Sequence, residues 1–284
     1  MRKARAIVWI VAVLSTTVCA AQASKENESD VAKESDAVKQ RQQKRMELMR
    51  GRVQALSAMG AGDEKLEFSA EPLLRYNDLA RDVADASVWG LGRKGRPRAV
   101  LVVEFYWKED FVQYEFPVVA DPPRLVRGPF FEWKPRAAPF TWLKLEGEAP
   151  PHTSVSIRRR QFKQVAEKFS ASEDWRGQTS QLRLMPRAIL EYEEKGKEVI
   201  EGEVFVWAHG TNVEILMFLE ARQGENGAKN WVAGFRRVSG ADLHVDYNGQ
   251  DFWNHVRGVS RSQDDSFYAR ESLTVAEREA FAPQ

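Results

Sequence analysis

The sequence predicts an α+β protein of two tandem repeats, each a helix followed by an antiparallel β-sheet. Three observations predict it. Matching segments recur about 116 residues apart. Apolar runs of strand length alternate with turn-forming residues. Finally, there is no alternating strand–helix–strand pattern and no glycine fingerprint of a nucleotide-binding parallel sheet.

The repeat is read from ordered anchors. Leu66-Glu67-Phe68 aligns with Leu182-Arg183-Leu184, and Leu73-Leu74-Arg75-Tyr76 with Ile189-Leu190-Glu191-Tyr192, both at a spacing of 116. Val88-Trp89 aligns with Val206-Trp207 at 118, and Leu101-Val102-Val103-Glu104 with Met217-Phe218-Leu219-Glu220 at 116 again. The spacing changes in Gly- or charge-rich connections, where loop insertions are tolerated. Duplication predicts Tyr76, Trp89, Tyr192 and Trp207 buried at equivalent places.

Residues 1–23 read as a secretory signal: Arg2, Lys3 and Arg5, then the apolar run Ala6–Leu14, then small residues with cleavage expected after Ala20 or Ala23. Cys19 offers a lipid-anchor alternative, weakened by Val18 before it. Residues 24–41 form a polar leader with too little apolar surface to fold alone. Residues 42–120 form repeat one. A helix over 42–59 carries Met46, Met49, Val53 and Leu56 at helical spacing, and strands follow near 65–69, 72–77, 86–91, 98–106 and 111–119. The segment 121–153 holds Pro122, Pro123, Pro135, Pro139, Pro150 and Pro151 and reads as an extended linker. Residues 154–256 form repeat two: a helix over 159–169, then strands near 181–185, 188–193, 202–208, 213–222 and 230–238. Asn248-Gly249 marks a type I′ hairpin between 243–247 and 251–253. Residues 257–284 form a polar tail with a short helix at 274–281.

Composition narrows the function. The 284 residues carry 42 basic and 41 acidic side chains and one Cys. A net charge of +1 gives no basic field for nucleic acid. Loss of 1–23 takes the net charge to −2 and removes the only Cys, so the mature chain has no disulfide and no thiol nucleophile. No cofactor motif and no mature transmembrane segment is expected. Export points to a periplasmic or extracellular place, with an envelope protein or polysaccharide as partner.

The stretches LRLMPRAILEYEEKG (182–196), GEVFVWAHGTNVEILMFLEAR (202–222), ADLHVDYNGQDFW (241–253) and SVWGLGRKGRPRAVLVVEFY (87–106) resemble a family of uncharacterised secreted planctomycete proteins. The resemblance spans roughly residues 60–255. It departs at Ala188, where a proline is expected, Pro186 standing two residues earlier. It implies export and the fold outline, and no activity.

Candidate chemistry is sparse. His152, His209, His244 and His255 lack metal-ligand spacing on any one element. There is no G-x-S-x-G nucleophile motif. Glu104 and Glu220 occupy equivalent positions, and their convergence with Asp246 and His209 would favour a carboxylate-dependent hydrolase. Eight Trp remain in the mature chain. Trp133 and Trp142, in the Pro-rich linker, are expected at a groove between the repeats, where exposed indoles stack on ligands. Arg93 and Arg96, on the Arg93–Arg98 loop, are the expected polar flank. The reading is an exported, non-catalytic binding or structural module of the cell envelope, with the hydrolase as alternative.

Overall fold

The computed structural model describes residues 36–60, 63–92, 95–120, 123–128, 131–133, 140–194, 198–224, 226–256 and 268–282. The signal segment, Cys19 and Arg93 lie outside the described residues. The chain divides into two compact units, Met1–Glu47 and Leu48–Gln284, and every strand belongs to the second. The described residues form three helices and eighteen strands, an α+β arrangement that is mostly strand.

Helix α1 covers 36–54, where Gln, Lys, Arg, Glu and Met favour helix. It ends earlier than its apolar spacing predicts. Ser57–Met59 is strand β1, because Ala58 turns inward and the segment pairs with β7 (Arg124–Arg127). β1 also pairs with β2 (Lys65–Leu66), and β7 with β8 (Phe131–Trp133), giving the order β2-β1-β7-β8. The Pro-rich segment 121–153 is thus partly strand. Its prolines fall outside β7, β8 and β9 (Leu143–Lys144), leaving those backbone donors free to pair.

A second sheet is the meander β3 (Leu74–Asp78), β4 (Val83–Leu91), β5 (Ala99–Tyr106) and β6 (Phe111–Glu115), extended by β18 (Tyr268–Ser272) beside β6. A 3-10 turn, Leu79–Arg81, joins β3 to β4. Helix α3 (Val275–Phe281) follows β18, closed by a capping box between Thr274 and Glu277. Phe281 stacks on Phe105 with centroids 4.0 Å apart. Arg52 of α1 donates to both Glu277 oxygens at 2.6 Å, with both side chains buried.

After α2 (Val155–Ala166) the chain forms β10 (Phe169–Trp175), β11 (Gln178–Leu184), β12 (Leu190–Tyr192), β13 (Val199–His209), β14 (Asn212–Gln223), β15 (Lys229–Arg237), β16 (Asp242–Tyr247) and β17 (Gln250–His255). These make one sheet of order β17-β16-β10-β11-β13-β14-β15-β9, with β12 also on β13. Asn248 and Gly249 both take positive φ, as the type I′ turn requires.

The ladders can be compared pair by pair. Tyr76 faces Ala86, Ala86 faces Glu104, and Val88 faces Val102. Tyr192 faces Gly202, Gly202 faces Glu220, and Val204 faces Phe218. The bridge Phe68–Leu91 is matched by Leu184–Trp207. Every one of these partners is displaced by 116. The expected shift to 118 at Trp207 is therefore not found. Phe205 holds the register place of Trp89, and Trp207 that of Leu91. All four anchors, Tyr76, Trp89, Tyr192 and Trp207, are buried.

Two cores result. In one, Val83, Val88, Val100 and Val102 meet Val204, Val206, Leu216 and Phe218 across the two meanders. In the other, Phe205, Trp207, Met217 and Trp231 pack under Phe162, Val165 and Ala166 of α2. β13 and β14 are covered on both faces, so they read as continuous apolar runs rather than as alternation.

Candidate functional site

Arg96 and Trp142 come together around a buried carboxylate. Arg96 donates to Glu220 through Nε at 2.6 Å and Nη2 at 2.8 Å. Arg222 Nε donates to the same group at 2.7 Å, as does the Tyr192 hydroxyl. Glu220 has no exposed surface. The guanidinium carbons of Arg96 and Arg222 lie 4.7 and 4.4 Å from the Trp142 ring centroid. The half-buried indole expected as a stacking platform thus already carries two internal cations. Trp133 is buried against Phe116 and presents no exposed face. The reason is β8, which draws Trp133 into the first sheet instead of leaving it on an extended linker.

Glu104 and Glu220 hold matched register places but do not converge. Glu104 accepts from the Tyr76 hydroxyl at 2.8 Å and the Tyr106 hydroxyl at 2.9 Å. Burial raises its carboxyl, opposed by those two hydrogen bonds. Tyr106 stands 116 residues before Arg222, so one carboxylate is bound by two phenols and, at 3.4 Å, the Gln113 amide, and the other by two guanidiniums and a phenol.

His209 belongs to a third cluster. Arg81 Nη2 donates to Glu173 at 2.6 Å and lies 2.9 Å from His209 Nδ1, while Nη1 bonds Glu214. Burial pushes the Glu214 carboxyl up to about 8; Arg81 pulls it down and the neighbouring Glu173 raises it. One oxygen of each acid, Glu173 Oε2 and Glu214 Oε2, is buried without a hydrogen-bond partner. Arg81 links Glu104 electrostatically to the His209 cluster, whereas Glu220 is held by Arg96 and Arg222 and Asp246 lies on β16.

A cavity of about 380 Å³ opens beside β12, the short strand paired only with β13. Leu190 and Tyr192 give it apolar surface, and Gly92 and Gly95 border it without side chains. Its charged wall is Glu191, Glu193, Glu201 and Arg159. Arg158 Nε, buried on α2, donates to Glu201 at 2.6 Å. Arg159 reaches Glu191 at 2.8 Å and Glu201 at 3.5 Å. Glu203 shares the Glu201 face of β13 and stands directly across the ladder from Glu191. It is 7% exposed and makes no hydrogen bond or ion pair among the described residues. Burial, then the charges of Glu191 and Glu201, push its carboxyl up to about 8, against the pull of Arg159.

Sequence reading missed Glu201 and Glu203. Glu-x-Glu on a strand looks like a solvated face, and only the placement of α2 over that face makes it an interior one. Among the described residues, no group of three or more His, Cys, Asp or Glu is placed to hold a metal ion. No helix among them is long and apolar enough to cross a membrane. Comparison with protein-family models, curated proteins and solved structures gives no match.

Proposed function

We propose that this chain is an exported, non-catalytic binding module of the cell envelope, built from two copies of one helix-and-sheet unit, with its ligand site in the acidic cavity beside β12. The duplication rests on the single spacing of 116 held by both meanders and by the Tyr–Glu hydrogen bond in each. Export rests on the charged start, short apolar run and small residues of 1–23. The observation that carries the binding reading is where the second half departs from the first. Arg75, Asp85 and Ser87 in the first half form internal contacts; Glu191, Glu201 and Glu203 hold the same places in the second, and Glu191 and Glu201 line the cavity.

Hydrolysis by a carboxylate pair is a second reading, favoured by the raised carboxyl of Glu203 beside Arg-paired Glu201. Thermal shift of the mature chain against panels of glycans, peptides and small ions separates the two, because a ligand that binds only the folded state raises its midpoint. Stabilisation by a compound recovered intact is the expected result. Turnover of a glycoside or ester that disappears in Glu203→Gln would replace the binding reading with the hydrolase.

A further inference from the structure

Two arginine bridges cross between the halves, and both end on β14. Arg81, on the turn between β3 and β4, reaches Glu214, and Arg96, between β4 and β5, reaches Glu220. The two acids stand six residues apart, about 20 Å along the strand. Their charge balance is opposite. At Glu220 two guanidiniums meet one carboxylate. Its Oε1 accepts from Arg96 Nε and the Tyr192 hydroxyl, and its Oε2 from Arg96 Nη2 and Arg222 Nε, so both oxygens are satisfied. At Glu214 one guanidinium meets several acids. Arg81 gives Nη1 to Glu214 and Nη2 to Glu173, and its Nε lies 3.7 Å from Asp78 Oδ2.

Glu173 and Glu214 are buried on different strands, yet lie within hydrogen-bonding reach of each other. The Oε2 of each is the oxygen that lacks a donor. Two ionised carboxylates cannot bond. A proton on one makes it the donor that the other lacks, and brings Arg81 and the pair to charge balance. Without that proton, buried acceptors stay unpaired beside like charge. The surroundings offer no substitute donor to both. His209 Nδ1 on β13 contacts Glu173 and Arg81, and Ser239, after β15, bonds Glu214. Glu104 on β5 feels the Arg81 charge, and Glu115 on β6 those of Glu214 and of Arg237 on β15. Beside the cluster the Thr211 hydroxyl donates to the Asn77 carbonyl, and Val83, Ala208 and Val213 belong to the core that the halves share. We propose that Arg81, Glu173 and Glu214 form a proton-dependent latch between the two halves, closed while the two carboxyls share one proton and released when it leaves, with the saturated Arg96–Glu220 cluster as the fixed hinge farther along β14.

The latch has a signature in pH. Burial, against the pull of Arg81 and with the push of Glu173, carries the Glu214 carboxyl from 4.5 up to about 8. The closed latch keeps a proton that the opened one loses. Opening therefore becomes about tenfold easier per pH unit between about 4.5 and 8, and levels off above 8. The test is hydrogen exchange of the mature chain, read by mass spectrometry from about pH 5 to 9.5 with each amide's own pH dependence divided out. Segments 74–83 and 209–216, on the two sides of the latch, should lose protection about tenfold per unit up to about pH 8 and then hold level. Segment 218–222, at the hinge, should keep a flatter profile. Glu214→Gln, whose amide N–H replaces the shared proton, should abolish the slope and leave both sides protected. Glu173→Gln should do the same, and serves if the first variant misfolds. Arg96→Gln should raise exchange at 218–222 at every pH without changing the slope at the latch, and His209→Gln should leave that slope in place. Protection at the latch that ignores pH, or a slope that survives both glutamine variants, would overturn the proposal. So would a slope shared equally by every strand of the two meanders, which is global unfolding, or one that vanishes in His209→Gln, which belongs to the imidazole.

Discussion

Gly202→Ala is expected to destabilise the fold, although adding a methyl to a strand glycine ordinarily helps it by reducing unfolded-state freedom. Gly202 faces Tyr192 across the β12–β13 ladder. A Cβ built there falls 2.3 Å from Tyr192 Cζ and 2.7 Å from its hydroxyl oxygen. Relief requires the ring to move by roughly 1 Å to reach ordinary contact. That motion breaks its 2.7 Å hydrogen bond to Glu220, which is fully buried. Overpacking of this kind costs about 1–3 kcal/mol, and a buried hydroxyl left without its partner about 1–3 kcal/mol. Part of the second cost overlaps the first, so a loss of about 2–4 kcal/mol is expected. For a folded unit of this size each kcal/mol lowers the midpoint by about 2–4 °C. Urea unfolding gives the free energy directly, and Tyr192→Ala in the same chain should remove most of the penalty for Gly202→Ala. Ala86, the counterpart in the first half, is buried and already carries its methyl opposite Tyr76, so Ala86→Gly should destabilise through lost methyl burial and strand propensity and relieve no clash. If Gly202→Ala matched or exceeded the wild-type stability, the close approach of Tyr192 and the bond it supports would both be wrong.

Three further outcomes follow from the buried charges and the leader. Glu203 and Glu214 ordinarily titrate near 4.5 and are pushed to about 8 in the fold. The folded chain keeps protons that the unfolded chain has lost, so their contribution is full below about 4.5 and is lost as pH rises through 8. Urea midpoints should fall across that window, and Glu203→Gln should flatten the slope; a midpoint that climbs from 4.5 to 8 would contradict the shifts. Arg52→Ala leaves Glu277, 3% exposed, without its guanidinium and should cost about 3–5 kcal/mol by chemical denaturation. Arg52→Lys should recover part of that loss, and a change under about 1 kcal/mol in Arg52→Ala would deny the pair its role. N-terminal sequencing of chain recovered from the envelope or medium should begin after Ala20 or Ala23, and an intact Met1 would count against cleavage.

The central strands were legible because their chemistry is local. The apolar runs Ala99–Val103, Val204–Ala208 and Ile215–Leu219 mark β5, β13 and β14, β4 and β15 each centre on a Val–Trp pair, and the observed limits of all five fall within a few residues of those expected. β10 was missed because its inward positions after Phe169 are Ala171 and Glu173, which carry almost no apolar signal. The helix before it was read through to Phe169 because helical spacing runs on past its true end at Ala166. β7, β8 and β9 were hidden by neighbouring prolines that restrict the chain beside them without entering them. Matching like residue to like residue set Trp89 against Trp207, whereas at the spacing of 116 seen in the ladders the position of Trp89 falls on Phe205. Of the site, Arg96, Trp142 and Glu220 were visible one by one, but their union needs a loop of one half to reach a strand of the other. The acidic wall was illegible because Arg158 of α2 stands 43 residues away in sequence from Glu201 on the strand it covers.

The crossing of arginines between the halves governs how the chain reaches its native state. Arg81 bonds Glu173 and Glu214 over separations of 92 and 133 residues, and Arg96 bonds Glu220 over 124. The valine face of β4 and β5 is completed by residues near 204–218. During synthesis the first meander must therefore wait, with that face uncovered, until more than a hundred further residues have been made. Contacts of such range are closed late and slowly. Refolding from denaturant should be slow and sensitive to protein concentration, and a fragment ending at residue 120 should aggregate, since it carries one side of a core and none of the other.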